Sequence, residues 1–283
     1  MISRWIESYH PKSVLETEQA LREIMQEIAL AGLYRSDFFK HAAFYGGTAL
    51  RIFHSLNRFS EDLDFSLLEK NPDFELGAHL KNVVDEFNAL GFQVSFRQKP
   101  KSIKTKIDSA FLKSDTLWGA LVLENTIPQL KLSGKPSIKI KLEVDTDPPL
   151  GFETENQLLT RPFSFYVNCF TLPDLFAGKM HALLFRNWKS RVKGRDWYDF
   201  EWYLKNSIEL NLNHLHQRSI GSGDWTGATF SREQFMDLLI AKINKTDLNQ
   251  AKEDVVRFIP DPENLEIWSR AYFHKLIKTI KFI

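Results

Sequence analysis

The sequence predicts a mixed α/β fold (α+β): a mixed sheet with flanking helices, followed by a helical domain. Strand-like alternation and helical periodicity interleave up to about residue 160. The run "DPPLGF" at 147–152 then breaks the strand pattern, because proline cannot donate to a ladder. After Pro162 and the short segment "FSFYVNCF", apolar residues recur almost wholly at helix spacing. Two domains are expected, residues 1–160 and 161–283.

The elements follow in order. Residues 13–31 place Leu21, Ile24, Met25 and Ile28 at helical intervals, with Ser13 and Glu16 in capping-box positions. Residues 47–55 form a short helix opened by a glycine pair. Residues 62–68 alternate, with Leu63, Phe65 and Leu67 on one face and Asp62, Asp64 and Ser66 on the other, as in a half-buried strand. A helix over 74–90 ends at Gly91. Strands are expected at 92–96, 117–123 and 137–145. In the second half, Thr171 caps a helix over 171–186 with Pro173 and Asp174 in its first turn. A helix over 195–207 follows the Gly194 turn. Two amphipathic helices come next, and a last helix spans 263–281.

Bulk properties narrow the function. The chain has 283 residues and a formal net charge of +1, so attraction to nucleic acid must come from local patches. The single cysteine, Cys169, excludes an intrachain disulfide and a cysteine zinc cluster. The first residues show no apolar leader, and no run is long enough to span a membrane, so a cytoplasmic location is expected.

The stretch "YGGTALRIFHSLNRFSEDLDF" at 45–65 carries the chemistry. Alternation puts Asp62 and Asp64 on one face, ~7 Å apart along the strand. Two carboxylates held on one face repel unless a cation joins them, and magnesium takes such oxygen ligands together with substrate phosphates. Taken alone, the pair also reads as two solvated aspartates on a sheet face. Upstream, Gly46 and Gly47 open a helix whose first turn carries Thr48. Free amides at a helix start favour phosphate, and glycine allows close approach. Ser60 stands two residues before Asp62 as a further donor. Together these residues describe a phosphate-holding loop beside a metal-holding strand, an arrangement suited to a nucleoside triphosphate and its magnesium. On "SIKIKLEVD", Glu143 and Asp145 share the polar face, and either could supply a third carboxylate.

These blocks resemble a known family. "GGTALR", "RFSEDLDF", "KLEV", "GKMHALLFR" and "RDWYDF", in this order, resemble the AbiEii/AbiGii-type nucleotidyltransferase toxins of the polymerase-β-like nucleotidyltransferase superfamily. The resemblance runs from about residue 20 to about 205. It implies a nucleotidyltransferase-fold catalytic domain completed by the helical domain. Gly46, Gly47, Thr48, Arg51 and Ser60 would bind the nucleotide, and Asp62 and Asp64 would ligate Mg2+, with Mn2+ as a substitute. Lys179 would contact the nucleotide's phosphates, Asp196 would complete the site, and Glu143 occupies the place of the third strand carboxylate. Without the resemblance, Lys179 reads as a solvated lysine at the edge of a core stripe. Asp196 and Asp199 then read as helix-start aspartates complementing the dipole.

Two basic clusters remain. Arg97, Lys99, Lys101, Lys104 and Lys106 form one. Arg186, Lys189, Arg191, Lys193 and Arg195, with Trp188 among them, form the other and lead into the Asp196 helix. The second is expected to bind an RNA end. The expected activity is magnesium-dependent transfer of a nucleoside monophosphate from an NTP to an acceptor hydroxyl. The resemblance adds a toxin-like role, tRNA as acceptor and a cognate antitoxin. A metal-dependent nuclease would not need the triphosphate loop, and a non-catalytic nucleotide-binding module would not need the aspartate pair.

Overall fold

Strand pairing gathers segments far apart in the chain into one mixed sheet. The computed structural model describes residues 2–98, 116–123, 138–186 and 191–283. These residues fall into two compact units that interleave in sequence. The first comprises Met1–Ala49, Phe59–Pro148 and Glu155–Cys169; the second comprises Leu50–Arg58, Pro149–Thr154 and Phe170–Ile283.

The elements up to the second unit's helices are α1 (Ile2–Glu7), α2 (Val14–Arg35), β1 (Ala42–Tyr45), α3 (Gly46–Phe53), β2 (Asp62–Leu67), α4 (Gly77–Ala89), β3 (Val94–Gln98), β4 (Thr116–Leu123), β5 (Lys139–Asp145), β6 (Thr154–Leu159) and β7 (Phe165–Phe170); all belong to the first unit except the second half of α3, from Leu50, and the end residues Thr154 and Phe170. Among the described residues the sheet order is β3-β4-β5-β2-β1-β7-β6. Strand β2 sits between β5, which is parallel to it, and β1, which is antiparallel. Strand β1 is covered on both of its faces. Ala42, Ala43 and Phe44 of β1 are accordingly all fully buried, and such a short unalternating run gives no period-2 signal in the sequence. Ser13 caps α2 by accepting the Glu16 amide at 3.1 Å, and the helix continues four residues past its expected end to Arg35.

The second unit holds α5 (Leu172–Phe185), α6 (Gly194–Lys205), β8 (Glu209–Leu210), α7 (Leu212–Gly221), α8 (Arg232–Lys245), α9 (Leu248–Val255), α10 (Arg270–Leu276) and β9 (Lys281–Phe282). The single helix expected over 263–281 is not formed. A 3₁₀ turn at Pro262–Leu265 precedes α10, which starts at its own cap, Ser269, and β9 then pairs with β8. Gly194 begins α6 pressed against α9: a Cβ there would lie 1.8 Å from the Ala251 carbonyl oxygen. Among the described residues no helix is long and apolar enough to cross a membrane.

His214 of α7 is fully buried, with the rings of Phe152 and Phe170 at 5.8 and 6.0 Å. Burial, reinforced by Arg218, pushes its imidazole down to about 3. The folded state therefore refuses a proton that the unfolded chain accepts below about 6.5, so this stability is full above that pH and is lost as pH falls towards 3. Between pH 7 and pH 5 the wild type should lose up to about 2 kcal/mol more than a His214→Phe variant, as read from urea midpoints. Parallel pH profiles for the two proteins would refute the neutral, buried imidazole.

Candidate active site

In the first unit the site grows from one strand. Leu63, Phe65 and Leu67 of β2 are buried, while Asp62 and Asp64 stand half-buried on the opposite face. On that face the register sets Lys141 of β5 opposite Asp62 and Glu143 opposite Asp64. Asp145 lies opposite Ser66, is 8% exposed, and accepts the Asp147 amide at 3.2 Å. Of the two candidate third carboxylates, Glu143 is thus the one beside the aspartate pair.

Helix α3 starts against this face. Gly46 has φ +86°, and a Cβ built on it would lie 2.7 Å from Asp64 Oδ2. Any L-residue there would be strained and would displace the carboxylate. Gly46, Gly47 and Thr48 are the first three residues of α3, whose amides have no intrahelical acceptor. The Thr48 side chain is fully buried and its hydroxyl donates to the Asp62 carbonyl, so it ties helix to strand, and what Thr48 can offer a ligand is its backbone. The Ser60 carbonyl accepts from Gln26 Nε2 at 3.1 Å, and Arg22 pairs with Glu61 at 3.2 Å, which anchors the approach to β2 on α2. The Lys141 ammonium pairs with Glu143. Burial opposes its charge, but Glu143, Asp62 and Asp64 outweigh this and raise its pKa.

In the second unit four charged side chains form a network. Lys179 of α5 donates to Asp196 Oδ1 at 2.7 Å and pairs with Asp199 Oδ2 at 2.8 Å. Arg58 grips Asp199 with both arms of its guanidinium, Nε–Oδ1 at 2.5 Å and Nη2–Oδ2 at 2.6 Å. The side chains of Arg58 and Asp199 are 3% and 0% exposed, and that of Lys179 is 14% exposed. Burial disfavours the charge of all three groups, yet mutual pairing wins. The Asp199 carboxyl is held below its ordinary range, and Arg58 and Lys179 are held above theirs. The solvated-face reading of Lys179 is therefore wrong, and Asp199 does more than complement a helix dipole. Sequence reasoning missed Arg58 altogether; its one signal was an arginine opening "RFSEDLDF". Arg51 donates to the Leu56 carbonyl at 3.2 Å, bracing the turn after α3.

Of the second basic cluster, Arg186 follows the end of α5, and Arg191 and Lys193 precede α6. Lys99, Lys101, Lys104, Lys106, Trp188 and Lys189 lie outside the described residues.

A family model, the nucleotidyl transferase AbiEii toxin of a type IV toxin–antitoxin system, matches residues 28–273. Among solved structures, the nucleotidyltransferase toxin MenT4 of Mycobacterium tuberculosis H37Rv is similar, with a TM-score of 0.58 and 14% identity over 98% of this chain and 86% of that one. JHP933 of Helicobacter pylori gives a TM-score of 0.44 and 18% identity over 92% of this chain and 97% of its own. No curated protein sequence matches the chain.

Removing one partner of a buried ion pair strands the other. Arg58→Ala should destabilise the protein by about 3–5 kcal/mol in chemical denaturation, because Asp199 loses its bidentate partner. Arg58→Lys keeps the charge but not the fork and should fall between the two. A change under about 1 kcal/mol for Arg58→Ala would show that the network is not what holds these segments.

Proposed function

The chain belongs to the AbiEii family of nucleotidyltransferase toxins of type IV toxin–antitoxin systems, and from that premise we propose that it transfers a nucleoside monophosphate from an NTP to an RNA hydroxyl in a magnesium-dependent reaction. The observation that carries this reading is the Asp62/Asp64 face of β2, with the bare Cα of Gly46 and the first amides of α3 set against Asp64. The triphosphate would lie along the amides of Gly46, Gly47 and Thr48, with Ser60 beside them.

The residues present fit a divalent cation. Their oxygen donors are hard, as magnesium prefers. The face already gathers a cation, since Lys141 lies in the field of Asp62, Asp64 and Glu143. Among the described residues no group of three or more His, Cys, Asp or Glu side chains is placed to hold a metal ion, so the two aspartates would need phosphate and water beside them to complete the shell. Asp62 and Asp64 would hold the metal, with Glu143 as the third carboxylate of the face. When bound, magnesium supplies charge neutralisation to the triphosphate and lowers the pKa of the attacking hydroxyl. Manganese would fit the same donors.

In the transfer the acceptor oxygen bonds to the α-phosphorus and loses its proton to the carboxylate face. The bond to the bridging oxygen breaks, and pyrophosphate leaves with the electron pair. Lys179, held by Asp196 and Asp199, is the fixed positive charge proposed for the phosphates. Arg186, Arg191 and Lys193 are proposed to receive the RNA, with tRNA as the first acceptor to test. An antitoxin is the counterpart that the family implies.

The deciding experiment incubates the protein with labelled NTPs, magnesium and total tRNA. Label on RNA supports transfer; RNA cleavage, or neither outcome, refutes it. Asp62→Ala and Asp64→Ala should each abolish labelling with the melting curve retained. Activity near wild type in either variant would remove that aspartate from the site.

Lys179→Ala should reduce transfer by a factor on the order of 10²–10³. Because the alanine also takes the ammonium from Asp196 and one of two cationic partners from Asp199, Lys179→Arg provides the control. It should keep the pairs and the stability yet transfer poorly, since its planar fork cannot replace a compact ammonium. Normal turnover by both variants would make Lys179 structural only.

A further inference from the structure

The second unit contains a cavity of about 530 Å³ beside the Lys179 network. Among the described residues five cations line it: Arg186, Arg191 and Lys193 from the segments around the α5 end and the α6 start, and Lys242 and Lys245 from the last turn of α8. The sequence offered no link between the α8 lysines and the 186–195 cluster, which lies some fifty residues earlier. Two carboxylates, Asp196 and Asp247, also line the cavity, so cations outnumber carboxylates on its wall by five to two. Asp196 holds Lys179, and Asp247 caps α9 by accepting the amides of Asn249 and Gln250.

The positive charge is partly stripped of water. Burial, aided by Arg195 against the pull of Asp254 and Asp196, lowers the Lys193 amine to about 8. Burial and then Lys245 lower Lys242 as well. Lys242 donates to the Leu184 carbonyl at 3.1 Å, which accounts for one of its protons and fixes its position at the wall. Lysine and arginine near helix C-termini often serve only to offset the dipole. That explanation covers Arg186 and the two α8 lysines one by one. It does not cover their convergence with Arg191 and Lys193 on one concave space.

A confined surplus of cations is relieved by an anion, and the volume suits a ligand of nucleotide size. We infer that this cavity binds backbone phosphates of the acceptor RNA, an assignment that rests on the RNA-acceptor reading above. Two observations favour RNA over a free nucleotide as the source of phosphate. The cations come from two stretches of chain some fifty residues apart, as in a groove tracking a chain of phosphates. Gln250 on the wall brings both a donor and an acceptor, the pair a ribose 2′-hydroxyl requires. Asp196 belongs both to the cavity wall and to the Lys179 network, so RNA held here would end beside the lysine proposed for the phosphates.

The test uses the full chain carrying Lys242→Gln and Lys245→Gln together, with fluorescence anisotropy on a labelled single-stranded RNA and on tRNA at several salt concentrations. A fluorescent NTP analogue and inorganic pyrophosphate are titrated in parallel. The variant should bind RNA at least tenfold more weakly at low salt. Its salt slope on single strands should be shallower by ~0.7 for each phosphate that is no longer neutralised, and NTP affinity should stay within twofold. Lys242→Arg with Lys245→Arg should restore RNA binding, because positive charge rather than the lysine ammonium itself is what the phosphates need. Unchanged RNA affinity and slope in the glutamine variant would overturn the proposal. So would a fall in NTP or pyrophosphate affinity with RNA binding intact, which would give the cavity to the nucleotide. A wild type that binds NTP but no RNA at low salt would instead overturn the acceptor reading on which the proposal stands.

Discussion

The close approach of Gly46 to Asp64 is the constraint from which the arrangement of the carboxylate face follows. With φ at +86° and no room for a Cβ beside Asp64 Oδ2, the chain can leave β1 and start α3 directly over the aspartate strand. Thr48 then closes the arrangement by donating to the Asp62 carbonyl. Helix amides and carboxylates, which attract groups of opposite charge, are thereby held within one short stretch of fixed backbone. A triphosphate with its cation is a ligand that satisfies both, because it presents negative oxygens to the amides and a positive ion to the carboxylates.

A carboxylate face of this kind is unfavourable without a partner. The protein supplies one from within: Lys141, opposite Asp62 in the register, pairs with Glu143 and lies in the field of both aspartates. Its ammonium limits repulsion among the three carboxylates in the ligand-free protein.

The second unit solves a harder version of the same problem. Asp199 is wholly buried, and an isolated carboxylate there would be neutral. Two cations, Arg58 in two-pronged contact and Lys179 by its ammonium, keep it charged, and Asp196 balances the count. Replacing such a network with apolar residues of equal volume is often neutral or stabilising, so stability alone does not explain it. What the network does achieve is to fix a lysine ammonium at one place with its charge assured. That is the property the proposed phosphate contact needs.

The fold class, the aspartate strand and most helices were legible in the sequence because their causes are local. Alternation of Leu63 and Phe65 against Asp62 and Asp64 is written in adjacent residues, and so are Thr171 with Pro173 at the start of α5. The expectation failed where causes were not local. β1 carries no alternation because both of its faces are covered, and the 263–281 helix is divided by a cap at Ser269 and by a strand whose partner lies about seventy residues away. Family membership could be read from spaced motifs. Neither the choice of Glu143 over Asp145 as neighbour to Asp64, nor the pairing of Arg58 with Asp199, nor the meeting of the α8 lysines with Lys193 could be read that way. By itself the sequence determined which residues are ionisable and, on β2 and β5, which of them share a face. Only the tertiary structure decided which charges meet, because a salt bridge depends on distance in space and on the water excluded around it, and neither is encoded by separation along the chain.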